Sequence, residues 1–149
     1  MKIDGKVIET FYDHRQIRCI PESGGILLGK LFGELLIIEQ ASVPGSDDKR
    51  GLFFFHRNKK RAQTIVDQAY RESNGEKAYI GEWHTHNEKN PEPSWLDRSE
   101  IKRAFKKSKL NFDFIICIIV GNDSELENLW VGYYAGDKII NCQRIISSK

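Results

Sequence analysis

The chain has 149 residues and a mass of 17.2 kDa, the size of one ordinary domain, large enough to fold around its own core without disulfides or a structural metal. With 40% hydrophobic and 30% charged residues, it is neither disordered nor of low complexity. Lys plus Arg at 23 against Asp plus Glu at 21 leaves a formal charge of +2, too weak a bias to indicate a nucleic-acid or membrane partner.

From the N-terminus, Met1-Lys2-Ile3-Asp4-Gly5-Lys6 lacks the apolar stretch and cleavage site of a secretory signal, so a cytoplasmic location is expected. Val7, Ile8, Phe11 and Tyr12 suit a helix, whereas Ile17, Cys19 and Ile20 look extended; a helix followed by a short strand is predicted. Ile26 to Leu31 and Leu35 to Ala41 form two antiparallel strands joined at Phe32-Gly33-Glu34, and Phe53-Phe54-Phe55 reads as a buried strand. The spacing of Ala62, Ile65, Val66, Ala69 and Tyr70 predicts an amphipathic helix from His56 to Glu72, stopped by Asn74-Gly75. Then follow a strand over Ala78 to His86, a helix over Trp95 to Lys107, a buried strand over Phe112 to Val120, and strands over Trp130 to Tyr134 and Ile139 to Ile146. The longest apolar run, Phe112 to Val120, is far shorter than a bilayer span. Cys19, Cys117 and Cys142 are odd in number and widely separated, which suggests reduced core residues. No repeat or linker divides residues 1–149, so one α/β domain is expected: a curved mixed sheet flanked by helices.

His84-Thr85-His86 is the chemically informative segment, because on a strand two residues two apart point to the same face. After seven more residues comes Ser94, and after two more Asp97, at the start of the second long helix. Two imidazoles and one carboxylate suit Zn²⁺ and leave a fourth tetrahedral position for water, the pattern of a catalytic site. Ser94-x-x-Asp97 equally fits a helix capping box, and the two roles are compatible. A zinc-activated water also needs a base off the metal; Glu22, in Pro21-Glu22-Ser23-Gly24-Gly25, is the candidate, with a solvated loop carboxylate as the alternative.

In this order and spacing, Glu22, His84, His86, Ser94 and Asp97 resemble the JAMM motif of the JAB/MPN metallopeptidase family. The resemblance implies a JAB/MPN-like (cytidine-deaminase-like) fold and one Zn²⁺ per chain held by His84, His86 and Asp97. It also implies Glu22 as general base and Ser94 as stabiliser of the tetrahedral oxyanion, in hydrolysis of an amide bond. Flanking phrases, among them Val43-Pro44, Asp48-Lys49-Arg50, Phe55-His56-Arg57, Tyr79-Ile80-Gly81-Glu82-Trp83 and Pro91-Glu92-Pro93-Ser94, are similar to the short prokaryotic JAB proteins of CBASS anti-phage operons. There the implied partner is a protein with a glycine-terminated tail, ubiquitin-like or a conjugated cGAS-like nucleotidyltransferase, beside an E1–E2-like conjugating enzyme. Asn87 stands where many members have proline, and little room exists for the insertions that ubiquitin-specific members use. A catalytically silent MPN-type scaffold and a small-peptide or sulfur-carrier amide hydrolase are the competing functions.

Trp83, between Glu82 and His84, is expected to face the opposite side of its strand and enter the core, while Trp95 is as well suited to a groove wall as to the core. Arg57, Lys59, Lys60 and Arg61 crowd a helix N-terminus, where cations oppose the macrodipole. A solvated basic face explains them, and an acidic partner would as well.

Overall fold

The computed structural model describes residues 1–123, 129–142 and, as backbone, 146–147. In chain order the elements are β1 (Lys2–Ile3), α1 (Gly5–Asp13), β2 (Gly24–Phe32), β3 (Leu35–Ala41), β4 (Lys49–Gly51), β5 (Phe54–His56) and α2 (Lys59–Glu72). They continue with β6 (Ala78–Thr85), α3 (Trp95–Lys107), β7 (Ile115–Val120), β8 (Trp130–Ala135), β9 (Lys138–Asn141) and β10 (Ile146–Ser147). Eight strands form one mixed sheet in the order β10-β1-β3-β2-β6-β7-β8-β9, and β4 and β5 form a separate two-stranded ribbon. Among the described residues no helix is long and apolar enough to cross a membrane.

Alternation of side chains across the central strands builds a core on each face of the sheet. On one face Leu27, Ile38, Ile80, Trp83, Ile116 and Ile118 pack with Val7 and Phe11 of α1. On the other Ile26, Leu28, Tyr79, Cys117 and Ile119 pack with Ala62 and Ala69 of α2 and Ile101 of α3. Every residue of β7 is buried, because its Ile-Ile-Cys-Ile-Ile-Val run feeds both cores in turn. It pairs parallel with β6 and antiparallel with β8, and a sheet interior covered on both sides reads as this kind of continuous apolar run.

The hairpin of β2 and β3 turns at Gly33, whose φ of 61° lies in the left-handed region. Gly25 has a different role: a Cβ there would overlap the carbonyl and hydroxyl of Ser42, so only glycine lets these segments approach.

Several expectations are corrected. Ile17 to Ile20 forms no strand; both isoleucines are exposed, and Arg18 has a positive φ of 59°. Phe53-Phe54-Phe55 is not buried: Phe53 is 83% exposed, and only Phe54 and Phe55 join the β4–β5 ribbon, which lies outside the large sheet. The helix expected from His56 starts at Lys59, because the Asn58 side chain accepts from Arg61 N–H and caps it there. Strand β7 begins at Ile115, three residues later than expected. Of the strand expected over Ile139 to Ile146, β9 covers Lys138–Asn141, and residues 143–145 lie outside the described residues. Cys19 is exposed rather than a core residue, whereas Cys117 is buried and Cys142 half-buried.

Candidate metal centre

Strand β6 carries the site. Its register with β2 sets Gly24 opposite His84 and Gly25 opposite Trp83. Trp83 points away from the site into the core, 1% exposed, with its indole N–H donating to the Ser42 carbonyl at 3.0 Å and its ring 5.1 Å from that of Phe11. His84 and His86 therefore share the other face; His86 lies just past the strand, its N–H still donating to Val120 of β7 at 2.9 Å. Asp97 arrives from the first turn of α3.

The three donors converge. His84 Nε2 lies 3.2 Å from His86 Nε2 and 3.1 Å from Asp97 Oδ1, and His86 Nε2 lies 3.4 Å from Asp97 Oδ2. A zinc ion with ligands at ~2.05 Å in tetrahedral array separates them by about 3.3 Å. The set thus has the donor chemistry of a zinc site and brings one ligand atom from each residue within 4.8 Å of the others, with all three side chains half-buried. Electrostatics inside the cluster agree with mutual dependence. Burial alone would raise the Asp97 carboxyl, but hydrogen bonds and charge from His84 and His86 hold it well below the usual carboxylate range. Burial depresses His86, yet its hydrogen bond and charge interaction with Asp97 leave it above its ordinary value.

Ser94 and Asp97 form a reciprocal capping box: Ser94 N–H donates to Asp97 Oδ2 at 2.6 Å, and Asp97 N–H donates to Ser94 Oγ at 3.2 Å. The cap fixes the carboxylate's orientation, and the Ser94 side chain adds to the hydrogen bonding that keeps the Asp97 carboxyl low. Glu22 is 6% exposed and lines the same cavity as His84 and Asp97. Burial lifts its carboxyl to about 7, against the partly offsetting positive charge of His84 and His86. A solvated loop carboxylate would show neither feature.

The backbone around Glu22 is clamped by residues that the motif does not name. Glu22 N–H donates to Gly51 O at 2.8 Å, and Arg50 Nε donates to the Glu22 carbonyl at 2.7 Å. Thr85, fully buried between the two histidines, exchanges two hydrogen bonds with Ser23. Its one visible signal in the sequence is its place in His-x-His, where alternation aims it at the opposite face. Asn87, in place of proline, accepts from Asn122 Nδ2 at 3.0 Å and donates to Arg18 O at 3.2 Å, so side-chain bonds brace the strand exit.

Beside His84 and Asp97 opens a cavity of about 470 Å³ between α2, α3 and the β4–β5 ribbon. On its wall Glu82 Oε1 accepts from Arg57 Nε at 3.0 Å, from Arg57 Nη2, and from the Tyr79 hydroxyl at 3.0 Å. Arg61 pairs with Asp47 and Asp48, so two of the four basic residues around the start of α2 are held within the fold. Trp95 is 81% exposed and does not wall the cavity; its neighbour Leu96 does.

Residues 5–132 match the family model described as prokaryotic homologs of the JAB domain. The chain is 33% identical over 131 residues to a CD-NTase/cGAS isopeptidase of Vibrio cholerae, covering 87% of this chain and 79% of that protein. A CD-NTase/cGAS isopeptidase of Pseudomonas aeruginosa is 42% identical over 105 residues, 68% of this chain and 65% of its own length, so the match spans just under two thirds of that relative. A protein of Desulfitobacterium hafniense solved in solution has the same fold, with a TM-score of 0.70 over 99% of this chain and 92% of its own at 17% identity.

Proposed function

Because this chain belongs to the prokaryotic JAB family, we propose that it is a zinc-dependent isopeptidase that releases a glycine-terminated protein from its conjugate. The observation carrying this reading is the convergence of ligand atoms from His84, His86 and Asp97 within 4.8 Å of one another beside a buried, proton-holding Glu22. His84, His86 and Asp97 would hold one Zn²⁺. When bound, it would supply a water whose pKa is lowered toward 7 and a Lewis acid for the scissile carbonyl.

The protein's residues do the rest. Glu22 takes a proton from the attacking water as the new carbon–oxygen bond forms. It passes that proton to the leaving amine as the carbon–nitrogen bond breaks, which leaves a free glycine carboxylate on one product and an amine on the other. Ser94, its oxygen already held by the cap, donates its hydroxyl hydrogen to the carbonyl oxygen as negative charge develops there. The names of the relatives support a conjugated cGAS-like nucleotidyltransferase as the substrate protein, in an anti-phage setting with an E1–E2-like enzyme as attaching partner. The cytoplasm, where such conjugates would form, is the proposed compartment, and residues 1–149 act as one catalytic domain.

The test is elemental analysis joined to cleavage. Wild type and Glu22→Gln should each hold about one zinc per chain, and Asp97→Ala little; wild type alone should cut a glycine-terminated fusion at the glycine. A wild type that takes up no zinc, or that carries zinc yet cuts no conjugate, overturns the proposal.

A further inference from the structure

The cavity beside the ligands extends well beyond the reacting atoms. One wall follows α3 from Leu96 and Asp97 through Ile101 and Ala104 to Lys107, and then to Lys109 just past the helix. At 1.5 Å per residue, the stretch from Asp97 to Lys107 is about 15 Å long. The surface between is mixed: Val66 and Ala104 line it together with Gln63, Glu100 and Arg103, over a floor of buried Ile26 and Ile101.

Charge is unevenly distributed along this groove. Near the ligands three acidic side chains are partnered: Asp97 by His84 and His86, Glu82 by Arg57, and Glu100 by His56 and Arg103. Lys107, Lys109 and Lys59 line it too, and among the described residues none of the three takes part in an ion pair. Lys107 complements the C-terminal end of the α3 dipole. That effect does not account for Lys109, which lies outside the helix. It argues against Lys59, which sits in the first turn of α2, where a cation is disfavoured.

An extended peptide advances about 3.3 Å per residue, so 15 Å accommodates about four to five residues. In an isopeptide the leaving side near the bond is a lysine's methylene chain, with no side chains to read. The acyl side is a peptide tail that can lie along such a groove. Resting on the isopeptidase reading above, we infer that the groove selects conjugates whose tail carries an acidic side chain about four to five residues before the scissile glycine. Lys107 and Lys109 are the specificity-determining residues.

Two independent readouts test this. Ten-residue fluorescent peptides ending in glycine, with a single Glu moved through successive positions and Gln as control, are titrated against zinc-loaded Glu22→Gln protein by fluorescence polarisation. Fusions with the same tails are cleaved by wild type. Glu at the fourth or fifth position should bind about three- to fivefold tighter than Gln, the range of one partly screened charge pair, and lower KM with kcat unchanged. Lys107→Gln with Lys109→Gln should abolish the preference, and the Glu pair should reverse it toward a Lys-bearing tail. Affinity independent of position, a preference that survives both double variants, or an acid effect only on the leaving side would overturn the inference. If the binding preference holds but no fusion is cut, the groove assignment stands and the isopeptidase reading falls; cleavage with no preference has the opposite meaning.

Discussion

Ser23 and Thr85 exchange two 2.9 Å hydrogen bonds, Ser23 N–H to the Thr85 hydroxyl oxygen and Thr85 N–H to the Ser23 carbonyl. Because Glu22 precedes Ser23 and Thr85 sits between the two histidines, this pair ties the proposed base to the proposed metal ligands. Thr85→Val keeps the side chain's shape but leaves the buried Ser23 N–H without an acceptor, which should cost about 1–3 kcal/mol. Turnover should fall further than zinc content does. Thermal unfolding beside zinc analysis and kcat checks this, and a variant with lowered stability but full turnover would detach Thr85 from positioning.

Burial raises the Glu22 carboxyl from 4.5 to about 7, so in the zinc-free protein the folded state binds this proton more tightly than the unfolded chain. That contribution to stability is complete below about pH 4.5 and is lost as pH rises to about 7. Glu22→Gln removes the titration. Its stability gain over wild type, measured by urea unfolding in chelator, should be near zero at pH 4.5 and reach about 1–2 kcal/mol at pH 8 after allowance for solvent screening. A difference independent of pH would show that Glu22 is not held as described.

The capping box and the oxyanion role of Ser94 separate by substitution. Ser94→Asn retains an N-cap acceptor and loses the hydroxyl donor; Ser94→Ala loses both. Both variants should lose on the order of 10²–10³ in kcat, while Ser94→Ala alone should lose about 1 kcal/mol of stability. Full activity in Ser94→Asn would reduce Ser94 to a cap.

Asp97→Asn makes the complementary cut. An amide oxygen can still accept from Ser94 N–H, so α3 should start where it does now, but the anionic ligand is gone. Zinc affinity should drop at least about 100-fold, with helical circular dichroism unchanged. Retention of stoichiometric zinc would remove Asp97 from the ligand set.

Much of this was legible in the sequence because period and spacing are local. Alternation along β6 put Trp83 in the core and both histidines on one face, and Ser94-x-x-Asp97 marked the start of α3. What escaped depends on contacts between distant segments. Three consecutive phenylalanines read as a buried strand, yet the β4–β5 ribbon stands off the sheet, so its exposure follows from tertiary placement and not from β-propensity. Arg50 stood in the sequence only within the phrase Asp48-Lys49-Arg50, with no role attached, and only the fold brings it against the Glu22 carbonyl. The eight-strand order, with β1 inserted between β3 and β10, has no periodic signature at all.

The parallel pairing of β6 with β7 obliges the chain to travel back along the sheet between them, and α3 is that return path. His86 closes the outgoing strand and Asp97 opens the returning helix, so an ion shared by the two would staple the return path to the sheet at its first bend. The stapled loop is short, and its closure entropy is correspondingly small. Loading and stripping the ion should therefore alter amide exchange and protease access chiefly over residues 87–96, while the two sheet cores keep their protection. The metal would act as a clasp on one connection of an already folded body.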